Sequence, residues 1–204
     1  MTRVVEVFAE VGCPFAYVGL TRMLAERDRR EADVIFRIRA WPLELVNGEP
    51  MDPEHIVAEV ADIRRQVAPD LFADTRVETF PATSLPAFAL ISAAYAHSDQ
   101  VGERVAMQVR RAIFENGENV SHPQTLSRIA DQFGVQTPAD SDLVEGEYAM
   151  GRERGVVGSP HVFVDGYSVF CPSLSISKQD DGHFVVNLDA ESTQALMQRI
   201  FSSD

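Results

Sequence analysis

A β-branched run ends in a Gly-Cys-Pro corner and passes at once into a helical period, a junction that few chain arrangements accommodate. Val5, Val7 and Ala9 alternate against Val4, Glu6 and Phe8, the pattern of a strand buried in a sheet, which predicts a strand from Val4 to Glu10. After Val11-Gly12-Cys13, Pro14 stands where a first-turn proline belongs, and Tyr17, Leu20, Thr21 and Leu24 recur at helical spacing, so a helix is expected from about Pro14 to Arg29. From Asp33 to Ala40, Val34, Phe36 and Ile38 alternate with Ile35, Arg37 and Arg39, until Trp41-Pro42 interrupts any ladder. Strand, helix and strand in that order make a parallel crossover unit.

The text changes after Leu43. Helical periods separated by Pro and Gly are predicted at roughly Pro53 to Val67, Pro86 to His97, Gly102 to Glu115, Pro123 to Phe133 and Asp142 to Arg154. Asp52 is placed to cap the first of these, ahead of Pro53, His55 and Ile56, and Ser121 to cap the helix opening at Pro123. Strand patterning returns at His161-Val162-Phe163-Val164, and Asp165-Gly166 then joins it to Tyr167-Ser168-Val169-Phe170-Cys171 as a hairpin. A further strand is expected from His183 to Leu188, and a terminal helix opens at Asp189 with Leu196, Met197, Ile200 and Phe201 as its apolar stripe. The domain reading is one folding unit: residues 1–42 and 156–204 form an α/β domain, and residues 43–155 are an all-helical insertion.

The formal charge of −13 argues against nucleic acid as a partner, because phosphate binding relies on clustered Lys and Arg. The basic residues Arg22, Arg27, Arg29 and Arg30 alternate with Glu26, Asp28 and Glu31, a solvated mixed face. No segment reaches the ~18 uninterrupted apolar residues of a membrane span, so no membrane association is expected. The first residues carry charge inside their apolar run, unlike a signal peptide, so the expected location is cytoplasmic. The sequon Asn119-Val120-Ser121 is then a chance match. Five scattered histidines and two distant cysteines show no zinc spacing, so no metal is expected, and no Gly-rich phosphate loop precedes a helix.

Cys13 carries the chemistry. A sulfur at a helix N-terminus faces free backbone N–H groups and the positive end of the dipole, which favour thiolate and can lower the pKa into the ~3.5 to 7.5 range. The plainer alternative is a small apolar plug beneath the loop.

Order and motif together resemble the DsbA-like branch of the thioredoxin superfamily, which includes proteins labelled 2-hydroxychromene-2-carboxylate isomerase and kappa-class glutathione transferase. The resemblance covers nearly the whole chain. Val11-Gly12-Cys13-Pro14-Phe15-Ala16-Tyr17 is similar to the active-site segment, and Gly155-Val156-Val157-Gly158-Ser159-Pro160-His161-Val162-Phe163-Val164 to the loop carrying the family's cis-proline. The segment from Phe114 to Ala130 is similar to part of the helical insert. The resemblance implies a thioredoxin-like fold with a central mixed sheet and a helical insertion.

It also implies that Cys13 is the catalytic thiol and that Pro14, Phe15, Ser159 and Pro160 hold a thiol-bearing ligand, paired as an extra strand with the backbone of residue 159. Where the family's oxidoreductases carry a second cysteine this chain has Ala16, and it lacks the serine of kappa-class transferases at position 13. A monothiol oxidoreductase resolved by an external low-molecular-weight thiol, glutathione or an analogue, is therefore expected, with a small thiol or a protein disulfide as partner and no tightly bound cofactor. A transferase or isomerase, or a binding module without catalysis, are the alternatives. Homodimerisation through helical faces is compatible with the family.

Accessory positions are His161, Cys171 and Ala16. His161 could tune the thiolate or donate a proton, although a strand histidine facing the other side of the sheet is the plainer expectation. A two-residue turn at Asp165-Gly166 pairs Val164 with Tyr167, Val162 with Val169 and Pro160 with Cys171, putting the two sulfurs about 10 Å apart or less. A structural role suits Cys171 better than a disulfide with Cys13, and a resolving role stays open.

Overall fold

The computed structural model describes residues 2–136, 142–179 and 183–202. Strand β1 (Arg3–Ala9) leads through the Cys13 corner into helix α1 (Pro14–Arg30) and returns as β2 (Val34–Ala40), parallel to β1 from Arg3↔Val34 to Ala9↔Ala40. The helix ends on Glu31 in the left-handed region (φ 51°), whose N–H reaches back to the Arg27 and Asp28 carbonyls. Among the described residues six helices follow: α2 (Leu43–Asn47), α3 (Pro53–Gln66), α4 (Leu85–His97), α5 (Asp99–Phe114), α6 (Pro123–Phe133) and α7 (Asp142–Glu153). The chain then re-enters the sheet as β3 (His161–Val164) and β4 (Tyr167–Phe170). With β1 and β3 antiparallel, the sheet is mixed, in the order β2-β1-β3-β4.

The two faces of β1 explain the layers. Val5, Val7 and Ala9 point into the main core with Leu20, Met23, Phe88, Leu90, Val109 and Ile113, each of these side chains larger than alanine contributing about 1.5–3 kcal/mol. Phe8 points the other way, into a smaller cluster with Trp41 and Val156. Gly151 allows α7 to descend on that cluster, since a Cβ there would sit 2.7 Å from the Trp41 ring and 3.0 Å from Phe8. Helices α4 and α5 share the main core with α1, so the helical segment is packed into the same interior as the sheet.

A second sheet pairs β5 (Leu174–Lys178) with β6 (Phe184–Leu188), followed by α8 (Ala190–Phe201). The sequence pattern anticipates β6 but misses β5, which starts directly after Pro172-Ser173 and pairs antiparallel with β6. Gln66 of α3 clamps the outer edge of this hairpin, donating to the Phe184 carbonyl (2.8 Å) and accepting from the Val186 N–H (3.1 Å). The sequence also misses the short α2. Asp52 and Asp189 cap α3 and α8 through their side chains. Ser121 does not cap α6. The N-cap is His122, without a side-chain bond, and Ser121 is instead held in a local turn by Asn119.

Candidate functional site

Every part of the site hangs on the corner between β1 and α1. Cys13 is the N-cap of α1, in extended backbone (φ −82°, ψ 114°), and its carbonyl accepts the first helical bond from the Tyr17 N–H at 3.1 Å. Its sulfur therefore lies where the unpaired amides of the first turn point. Across from it, the Ser159–Pro160 peptide bond is cis. Cys13 Sγ donates to the Ser159 carbonyl at 3.4 Å, and the Ser159 hydroxyl accepts from the Glu10 N–H at 2.9 Å, so the proline loop is fastened to both sides of the corner.

Glu10 holds the corner from inside. Its carboxylate is 1% exposed and accepts from the Val11 and Gly12 amides (2.7 and 3.2 Å), the Leu43 amide (2.8 Å) and the Ser84 hydroxyl (3.2 Å). One side chain thus binds the Cys13 corner, the start of α2 and the start of α4. Behind it, fully buried Arg110 of α5 donates to the carbonyls of Ala9 (3.3 Å), Glu10 (3.2 Å) and Ala106 (2.9 Å). Burial raises the Glu10 pKa and pushes Arg110 down to about 10.

The sulfur opens into a cavity of about 530 Å³, floored by Cys13, Pro14, Phe15 and Ser159 and walled by the chain from Leu43 through α3. His55, Ile56 and Glu59 of α3 form one side, with His55 Nε2 3.3 Å from Glu59 Oε1. Ala16 is fully buried beneath the helix start.

The helix position does not give Cys13 the lowered pKa that the sequence suggests. Burial, which leaves the residue 5% exposed, pushes the thiol up to about 11. The Ser159 side chain and the Ala16 amide pull the other way, and the charges of Glu59 and Glu10 add to the rise. Taking a sulfur anion out of water here outweighs the amides at the helix start.

The structure brings Cys13, Pro14, Phe15 and Ser159 together around one cavity, with Pro160 buried beside them. It does not bring His161 there. That ring lies on the opposite layer, stacked on Phe163 at 4.6 Å with Nδ1 accepting from the Val157 N–H, and burial together with Arg154 lowers its pKa. Residues 161 and 163 share one face of β3 and Val162 takes the other, so the His161 ring packs on Phe163 rather than lining the Cys13 cavity.

Cys171 continues the hairpin register, its N–H donating to the Pro160 carbonyl at 2.8 Å, and it adopts the left-handed region (φ 44°). Both cysteines are free thiols. Burial pushes Cys171 up to about 12, with the nearby Cys13 charge the next cause.

Sequence reasoning passed over Glu10, Glu59 and His55 as site residues. A carboxylate in the last position of a buried apolar strand signals Glu10, since a buried acid needs partners. The His55–Glu59 spacing of four on one helix signals the second pair.

No helix among the described residues is long and apolar enough to cross a membrane, and no group of His, Cys, Asp and Glu among them could hold a metal. The sequence matches the DSBA-like thioredoxin domain family over residues 4–179. No curated protein matches it. Among solved structures, a probable DsbA oxidoreductase from Streptomyces coelicolor is 16% identical with a TM-score of 0.65, over 99% of this chain and 92% of that one. The cytosolic disulfide reductase DsbM from Pseudomonas aeruginosa is 11% identical with a TM-score of 0.57, over 95% and 96%, and has also been solved with GSH. A 2-hydroxychromene-2-carboxylate isomerase is 14% identical with a TM-score of 0.60, over 82% and 88%. At these identities the three share the fold.

Proposed function

Because the chain belongs to the DSBA-like thioredoxin domain family, we propose that it is a monothiol disulfide oxidoreductase working through Cys13. The observation that carries this reading is the sulfur's place: at the N-cap of α1, 3.4 Å from the Ser159 carbonyl ahead of the cis-proline, at the floor of the cavity. The Cys13 thiolate attacks a disulfide R–S–S–R′, forming Cys13–S–S–R while R′–S⁻ leaves and takes up the proton the thiol gave to solvent. A second thiol then attacks the mixed disulfide, forms a new disulfide with R and releases the Cys13 thiolate, so Cys13 ends as it began. Ala16 supplies no second sulfur, hence the external thiol. A low-molecular-weight thiol suits the cavity's volume, and glutathione is the ligand named for the DsbM structure. Pro14, Phe15 and Ser159 would position it.

Treatment with hydroxyethyl disulfide at pH 9, followed by peptide mass spectrometry, tests the proposal. A mixed disulfide on Cys13, released by added thiol and missing in Cys13→Ser, is expected. Modification confined to Cys171 would overturn the proposal.

A second reading has one observation in its favour. A thiol raised to about 11 and donating to a carbonyl is poorly set for redox work at neutral pH and well set to bind a substrate without net electron transfer. On that reading the chain is an isomerase or transferase of the same family, and the mixed disulfide would form at Cys13 yet turn over no substrate disulfide.

A further inference from the structure

One full charge lies inside the molecule with no ion pair of its own. Arg110 of α5 is 0% exposed, and among the described residues no carboxylate touches its guanidinium. It donates to the carbonyls of Ala106, Ala9 and Glu10, and its Nε–H meets no acceptor. A cation buried in that state is costly, and an unmet buried donor in a native fold needs a reason. The guanidinium sits behind the end of β1, holding two carbonyls of the segment that turns into Cys13. Glu10, Tyr95 and Cys13 are the groups whose negative charge favours its charged form. Two of them are already engaged: Glu10 by the Val11, Gly12 and Leu43 amides and Ser84, and the Tyr95 hydroxyl by the Ile38 amide and the Phe36 carbonyl. Around the sulfur itself, Glu10 and Glu59 bring negative charge and Cys171 a thiol, while His55 on the cavity wall pairs with Glu59.

We infer that Arg110 serves the exchange at Cys13: anchored on the Ala9 and Glu10 carbonyls, it sets a fixed positive charge behind the sulfur and answers the negative charge that Cys13 acquires when its mixed disulfide is resolved. The inference rests on the proposed thiol exchange and adds the group that favours Cys13 as the leaving sulfur. Arg110 touches the corner and not the reacting sulfurs, so it is a positioning residue. In the resolving step the incoming thiolate bonds to the sulfur of R, the bond from R to Cys13 breaks, and its electron pair stays on Cys13 Sγ, which then takes a proton from solvent. A cation held in the interior steadies that developing anion more than one screened by water would. At neutral pH the guanidinium is charged, since burial pushes it down only to about 10.

Two variants separate charge from grip. Arg110→Gln keeps a donor for the carbonyls without the charge, and Arg110→Lys keeps the charge without the fork. The Cys13 mixed disulfide made with hydroxyethyl disulfide is resolved by added thiol at about pH 7.5, and iodoacetamide alkylation of free Cys13 is followed beside it, both by peptide mass spectrometry. Arg110→Gln should slow both reactions by about threefold to tenfold, and Arg110→Lys should stay within about twofold of wild type. A purely structural arginine gives the opposite sign, because a loosened corner exposes the thiol and speeds alkylation in both variants. Unchanged or faster reactions in Arg110→Gln, or equal slowing in Arg110→Lys, would overturn the role of Arg110 and leave the exchange standing. No mixed disulfide on wild-type Cys13 would overturn both. If near-UV circular dichroism shows Arg110→Gln unfolded, the wild type and Cys13→Ser decide: the Arg110 Nε resonance should follow a titration step in the first that the second lacks, and identical titrations would overturn the inference.

Discussion

Cys13 and Cys171 flank the same proline loop and meet different fates. Both are pushed up by burial, to about 11 and about 12. Cys13 borders a cavity, whereas Cys171 continues the β4 ladder through its N–H to the Pro160 carbonyl and packs against the main core. A thiol's use is therefore decided here less by its acidity than by what lies on its open side. The first can receive a partner. The second completes a turn.

The largest effect that could break this comparison is kinetic. If burial governs Cys13, its alkylation by iodoacetamide should speed up roughly tenfold per pH unit from about pH 7 to 10 and bend near about 11, a span of about three decades. Mass spectrometry of the Cys171→Ala variant isolates the Cys13 rate. A plateau near pH 8 would mean that the helix amides prevail after all.

Removing the carboxylate behind the corner sharpens the contrast next. Glu10→Ala leaves the Val11, Gly12 and Leu43 amides and the Ser84 hydroxyl without their acceptor, and should cost about 2–4 kcal/mol in urea unfolding. Its hydrogen-exchange signature should appear at residues 11 to 13 and spare the Cys171 amide.

Linkage gives a third test. A thiol whose folded pKa exceeds its unfolded value stabilises the fold fully below the unfolded pKa and loses that contribution as pH climbs through the folded one. For Cys13 the window runs from about pH 9 to about 11, where stability should fall by about 1.4 kcal/mol per unit for one thiol. Cys171 adds to the slope and extends it towards about pH 12. Denaturant midpoints measured across that range should flatten in Cys13→Ser and flatten again in the double Ser variant.

The smallest change is Ser159→Ala. It removes the acceptor of the Glu10 N–H and should cost about 0.5–1.5 kcal/mol, with Cys13 alkylated faster as the loop loosens.

The sheet's first three elements and the β3–β4 hairpin were readable because their signals are local: alternation in Val4 to Ala9, a proline opening α1, and Asp165-Gly166 fixing the pairing of Val164 with Tyr167. The position of Cys13 was readable for the same reason. Its acidity was not, since a helix start is visible in Cys13-Pro14 while the roof over it comes from α3 and residues 159–160, far along the chain. Strand β5 was passed over although Leu174 and Ile176 alternate with Ser175 and Ser177, since Pro172 stands just ahead of that short run. Glu10 read as the last residue of a strand because its acceptors' partners, Leu43 and Ser84, are specified only by tertiary packing.

That carboxylate has a mechanical consequence. Its two oxygens grip the sulfur-bearing bend, the first turn of α2 and the start of α4 at once, so a shift in any of these must stretch a bond to the others. The cavity wall and the Cys13 corner are geared together, and a ligand wedged between them would be felt in the backbone beneath the sulfur.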